Sequence, residues 1–213
     1  MMRIRIAVAL SVIPASVFAQ EAAIVDKEIE NPVDFGRVQR DVEDATASGF
    51  RDTIQFPGAD QLGDFTPAVP IIVPLELFTS LKEGATELSG DQVGLESAGQ
   101  KSGISFSRSG YSAWASYPNF NLTVQASSVA FAANADPSPD FAGPKPDYFN
   151  KLTGDVITFG YAGVDYLVLF ECLVGGRSCV TAEMADAIVD EFVLCDRDGS
   201  CVGIFPVSRG TQQ

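Results

Sequence analysis

From Phe120 to Ala126 the chain alternates strictly: Phe120, Leu122, Val124 and Ala126 are apolar, while Asn121, Thr123 and Gln125 are polar. Successive side chains of a strand point to opposite faces, so this segment predicts a strand with one face on a core and one in water. It follows Ser112–Tyr117 and a Pro118-Asn119 turn, which together predict a β-hairpin. A second segment has the same plan: Val156–Tyr161, a turn at Ala162-Gly163, and a return over Val164–Glu171. Superposing Tyr117 on Tyr161 aligns Phe120 with Val164, Asn121 with Asp165 and Val124 with Val168 without a gap, a weak internal repeat. Tyr166–Phe170 is apolar on both faces and predicts a central strand covered on both sides. Beyond Ser127 the apolar phase moves to Val129 and Phe131, which predicts a bulge.

All four cysteines, Cys172, Cys179, Cys195 and Cys201, lie in the last quarter of the chain. An even count behind an export signal predicts disulfides. A three-residue loop over Arg197-Asp198-Gly199, with Gly199 left-handed, sets Cys195 opposite Cys201 across a terminal hairpin. Cys172 and Cys179 flank a Gly175-Gly176 turn and close a second small loop. Six and five residues intervene within these pairs, too many for the usual zinc spacers, and no C-x-x-C redox motif occurs.

The export signal is the opening segment, MMRIRIAVALSVIPASVFAQ. Arg3 and Arg5 precede an apolar run from Ile6 to Ile13, and Val17 and Ala19 are small residues at the expected cut. Residues 1–19 are therefore read as a cleaved signal peptide, with a periodic pattern too short to span a bilayer. No later run approaches 18 apolar residues, so no membrane insertion is expected after cleavage. The expected location is the periplasm or the extracellular space.

Residues 20–65 read as an acidic flexible arm, with eleven acids and four bases between Glu21 and Phe65. Val38 and Val42 allow one short helix within it. The folded part is expected as a single domain over 66–213, in two hairpin-containing halves of about 66–133 and 150–213. A Pro-rich linker, residues 136–146 with four prolines, joins them. Ala68–Pro74 should be an edge segment because two prolines remove ladder donors, and Leu75–Glu83 a helix stopped by Gly84. Residues 84–103 read as loop. Thr181 predicts the N-cap of a helix over Ala182–Phe192, with Met184, Ala185, Ile188, Val189 and Phe192 on its buried stripe. The expected fold class is α+β: an antiparallel sheet built from two similar hairpins, with a C-terminal helix on one face and a disulfide-stapled terminal hairpin.

The chain of 213 residues contains no histidine, which excludes Ser-His-Asp and Cys-His hydrolases and histidine-ligated metals. A net charge of −14 argues against nucleic acid. The Gly94–Ser102 segment departs from a phosphate loop, because Gln100 separates Gly99 from Lys101. No S-x-x-K or G-x-S-x-G motif occurs. Asp196 and Asp198 beside Gly199 resemble part of a calcium loop, but lack its further oxygen donors and distal Glu, so a plain turn is expected. Glu171 ends the apolar strand and is read as a carboxylate facing water. No cofactor and no metal site are expected.

What is expected is a non-catalytic exported module that binds a protein, an envelope component or a small ligand. Its contact surface is expected around Trp114, Tyr117 and Phe120, with Phe141 and Tyr148 presented by the Pro-rich connection. The alternative is a carboxylate-dependent hydrolase of an envelope or extracellular substrate, which requires two acids with displaced pKa values in a cleft.

Overall fold

A computed structural model describes residues 31–47, 54–57, 66–88, 93–99, 101–129, 147–173 and 179–203, with the side chains of residues 148–151 and 153 excepted. The expected leader, Phe141 and the Pro-rich linker lie outside the described residues. The fold is α+β, mostly antiparallel sheet with three described helices.

The alternating segments form the middle of an eight-stranded sheet. Its strands are β3 (Ala85–Glu87), β4 (Val93–Ser97), β5 (Ser102–Phe106), β6 (Gly110–Ser116), β7 (Phe120–Ser127), β8 (Tyr148–Thr153), β9 (Val156–Tyr161) and β10 (Val164–Cys172). The order is β3-β4-β5-β6-β7-β10-β9-β8, antiparallel throughout. The β6–β7 hairpin closes with Tyr117 N–H donating to the Phe120 carbonyl at 2.8 Å. The β9–β10 hairpin pairs Tyr161 with Val164 across Ala162 and Gly163, at φ +54° and +80°. Positive φ at both central residues is the turn that follows the natural twist of the strands. Val124 lies opposite Val168 where β7 meets β10, and Asn121 opposite Glu171.

Alternation becomes burial row by row. Leu95, Ile104, Ala113, Val124, Val168 and Ile157 are successive cross-strand partners on the inner face, and each is fully buried. One residue further along, the outer face carries Glu96, Gly103, Trp114, Thr123, Leu169 and Val156. β10 is central but covered unequally. Val164, Tyr166, Val168 and Phe170 are buried, whereas Leu167 and Leu169 are half-buried on the outer face. The expected loop over 84–103 instead supplies β3, β4 and the start of β5. Its Gly and Ser residues suit the close approach of neighbouring backbone: a Cβ at Gly94 would lie 2.2 Å from the Ile104 carbonyl oxygen.

The terminal hairpin belongs to a second, four-stranded sheet rather than to the first. Its strands β1 (Ile54–Gln55), β2 (Ile71–Pro74), β11 (Phe192–Cys195) and β12 (Ser200–Gly203) run in the order β1-β12-β11-β2. β2 is an edge strand, as its prolines require. Gly199 has φ +79°, and Cys195 lies opposite Cys201 with a Cα–Cα distance of 4.0 Å. Cys195–Cys201 and Cys172–Cys179 are both disulfides.

Three helices complete the fold. α2 (Leu75–Gly84) buries Leu77, Phe78 and Leu81 and packs against β4, β5 and β6 on the inner face, where Ala113 and Ala115 leave it room. It is α2, not the C-terminal helix, that covers the sheet. α3 (Ala182–Val189) is capped by Thr181, whose hydroxyl accepts from Met184 N–H at 3.2 Å, and it lies beside the edge strand β8. It ends before Phe192, which is needed in β11 opposite Pro74, and Met184 is 44% exposed.

The expected acidic arm is packed over much of its described length. Asp34 caps α1 (Phe35–Ala47), its carboxylate accepting from Arg37 N–H at 2.9 Å. Val38 and Val42 are buried, and the helix packs on β11 and β12. Arg37 binds Asp147 at 2.6 Å and lies 4.9 Å from the Tyr161 ring centroid, while the Tyr161 hydroxyl donates to Asp41 at 2.7 Å. Burial of two valines and partners from distant segments are invisible to a local charge count.

The two sheets are joined by buried tyrosine hydroxyls. Tyr111 on β6 donates to the Ile72 carbonyl at 2.6 Å and accepts from Ile72 N–H at 2.8 Å. Both groups belong to the side of β2 that faces away from β11, so one phenol satisfies the strand's open edge. Tyr166 on β10 donates to the Pro70 carbonyl at 3.0 Å. Burial pushes both phenols well above the ordinary tyrosine range.

Tyr111→Phe leaves two buried backbone groups unpaired and should lower unfolding free energy in urea by roughly 2–4 kcal/mol, against about 1 kcal/mol for Tyr166→Phe. Because Tyr111, Tyr161 and Tyr166 all have raised pKa values in the folded state, their contribution to stability is complete below about pH 10 and is lost as the pH rises further. Alkaline titration should show tyrosinate absorbance appearing together with loss of near-ultraviolet circular dichroism. Tyrosinate forming with the fold intact would contradict this arrangement.

Candidate functional site

The expected aromatic patch divides between the two faces of the sheet. Trp114 pairs with Thr123 on the outer face and is half-buried. Phe120 belongs to the inner face, is 5% exposed, and packs against Phe170 at 5.9 Å between ring centroids. Tyr117 stacks on Phe120 at 4.5 Å, with the Glu76 carboxylate of α2 near its hydroxyl. Burial first, and then Glu76, push the Tyr117 phenol upward. These two residues close the rim of the core. Tyr148 opens β8 opposite Gly160, on the far side of the sheet from β6. Of the expected contact residues with described side chains, Trp114 alone lies on the outer face.

The Trp114 ring lies over Gly103 of the neighbouring strand. A Cβ at Gly103 would stand 2.2 Å from indole Cζ2, 2.7 Å from Cη2 and 2.8 Å from Cε2. Glycine therefore lets the indole settle flat against the sheet backbone, with its other side toward solvent.

Beside it runs a polar row. Ser105 pairs with Ser112, and Ser112 with Gln125, across β5, β6 and β7. Ser105 and Ser112 are half-buried and Gln125 is exposed, and no hydrogen bond to another described residue engages their side chains. Along the strands they stand two positions from Gly103, Trp114 and Thr123, about 7 Å away. Ser105, Ser112 and Gln125, with Phe106, Ser107, Ser109, Tyr111, Ala126 and Ser127, line a cavity of about 370 Å³, and Trp114 stands beside it rather than in its lining. Its lining carries hydroxyls and one carboxamide, and no charged side chain.

The acids are arranged differently. Glu171 is exposed at the end of β10, as its position at a strand mouth predicts. Asp196 accepts from Asp198 N–H at 3.0 Å and Ser200 N–H at 2.8 Å, so its carboxylate closes the hairpin turn. Burial raises the pKa of Asp196, and burial with Asp186 and Glu191 raises that of Asp190. Neither residue lines the cavity. Among the described residues no cluster of three or more acids or cysteines is placed to hold a metal. No described helix is long and apolar enough to cross a membrane, and the two disulfides are those of a chain folded in an oxidising compartment.

No family model, curated protein or solved structure matches the chain.

Sequence reading singled out Trp114 and missed Gly103, Ser105, Ser112 and Gln125. Strand parity was the available signal: Trp114 and Tyr117 are three residues apart, which sets them on opposite faces of one strand.

Gly103→Ala should lift the indole off β5. Trp114 is the sole tryptophan, so its emission should shift to longer wavelength while far-ultraviolet circular dichroism is unchanged. Unaltered emission would contradict the packing of the ring on Gly103.

Proposed function

We propose that this protein is an exported, soluble, non-catalytic binding module whose contact surface is the outer face of the eight-stranded sheet. The observation that carries this reading is the pairing of a half-buried indole with an adjoining row of polar side chains that the fold itself does not use. Ser105 and Ser112 are half-buried and Gln125 is exposed, so their polar groups face water and can exchange it for a ligand on strands held rigid by the core behind them.

Catalysis by paired carboxylates has less support. A hydrolase needs an acid with a raised pKa beside a second carboxylate in a cleft. Here the carboxylates with raised pKa belong to a hairpin turn and to the end of α3. Export is supported by the two disulfides and by the leader-like opening segment. We also read the two central hairpins as similar units. Both turn over two residues, and their return strands meet symmetrically about Val124 and Val168.

The test is site-specific photo-crosslinking in the native compartment. A photoreactive side chain in place of Thr123, on the outer face, should capture a macromolecule, whereas one at exposed Arg40 on α1 should not. Absence of any adduct at Thr123, or turnover of an envelope polymer by the purified protein, would overturn the reading.

A further inference from the structure

Resting on the outer face as the contact surface, we infer that it binds a neutral carbohydrate, with one pyranose ring stacked on Trp114 and its hydroxyls bonded to Ser105, Ser112 and Gln125. Three observations converge on that chemistry.

The first is the indole. A ring held flat on Gly103 presents one π-face outward. That face carries the negative side of the aromatic quadrupole, and it attracts the weakly positive C–H groups lining one side of a pyranose. The second is the row of hydroxyls and carboxamide. A sugar hydroxyl both donates and accepts, so its partners must do the same. Ser105 and Ser112 offer a donor and acceptor on one oxygen, and Gln125 offers both on one carboxamide. None of the three is used by the fold among the described residues.

The third is charge. The cavity lining has no charged side chain, and the chain carries −14 overall. A uronate, a phosphate or a sulfated polymer would meet net repulsion with no cation in the lining to offset it. A protein partner would ordinarily engage several exposed aromatic or arginine anchors, whereas the outer-face rows Gly103-Trp114-Thr123 and Ser105-Ser112-Gln125 hold one aromatic ring and no arginine, Arg108 standing in the adjoining β5–β6 turn. The cavity of about 370 Å³ next to the indole is lined by the polar row and not by Trp114, so a ligand stacked on the ring would enter it with its hydroxyl-bearing edge or a following residue. The strand spacing of about 7 Å between Trp114 and Ser112 lets one ligand reach both the ring and the polar row.

The sole tryptophan makes the test direct. The oxidised protein is titrated with neutral gluco-, manno- and galacto-configured hexasaccharides, followed by indole emission and by calorimetry, with polygalacturonate as the anionic control. At least one neutral hexasaccharide should give a saturable change, and polygalacturonate none. Trp114→Ala should weaken binding at least tenfold by calorimetry, whereas Trp114→Phe, which keeps an aromatic face, should stay within about threefold. Ser112→Ala with Gln125→Ala should cost roughly tenfold.

No response to any neutral hexasaccharide, or undiminished binding by a folded Trp114→Ala variant, would overturn the inference. The crosslinking experiment separates the two levels. A protein adduct at Thr123 without a saccharide response removes the carbohydrate and leaves the outer face as the contact surface. Neither adduct nor response removes both.

Discussion

One phenol sets the arrangement of the whole molecule. The Tyr111 hydroxyl, buried between the sheets, both donates to and accepts from Ile72. β2 is an edge strand with β11 on one side, and without a second partner its other side would bury an unpaired N–H and carbonyl. Because Tyr111 supplies that partner from β6, the small sheet is fixed to the inner face of the large one. The Tyr166 hydroxyl on the Pro70 carbonyl sets a second point on the same segment. Two points define an orientation, and Cys195–Cys201 then holds the hairpin that pairs with β2.

That attachment has a consequence for the opposite side. α2 and β2 occupy the inner face of β6 and β7, so the apolar residues of those strands are spent on the core. The outer residues of the same strands are left with a different task. Trp114, Thr123, Ser112 and Gln125 are poor core material, yet they stand on strands made rigid by the buried row of Leu95, Ile104, Ala113, Val124, Val168 and Ile157 behind them. A site on strands backed by a packed core keeps its geometry without loop ordering, which favours binding.

Much of the local structure was legible in the chain. Alternation located β7 and, through it, the β6–β7 hairpin, because period two has a single physical reading when one face is wet. Gly199 placed the terminal turn and the Cys195–Cys201 register, since left-handed backbone there favours glycine. Thr181 marked the start of α3. Elements held by distant partners were not legible. β4 and β5 are rich in glycine and serine and resemble loop, and they are strands because β6 supplies the ladder of β5 and β5 in turn that of β4. α1 has a charged surface, and its Arg37 and Asp41 find their partners Asp147 and Tyr161 in distant segments. The separation of Trp114 from Tyr117 and Phe120 follows from parity alone, but its importance emerges only once Gly103 is seen beneath the indole.

The inner face of the large sheet is sealed by the tyrosine-linked small sheet, while its outer face stands open around Trp114. Acrylamide quenching of the indole in the oxidised, folded protein measures this without variant or ligand. Quenching of the half-buried ring should be intermediate between that of a free indole and that of a buried one. Emission shielded from acrylamide would place Trp114 in the core and contradict it.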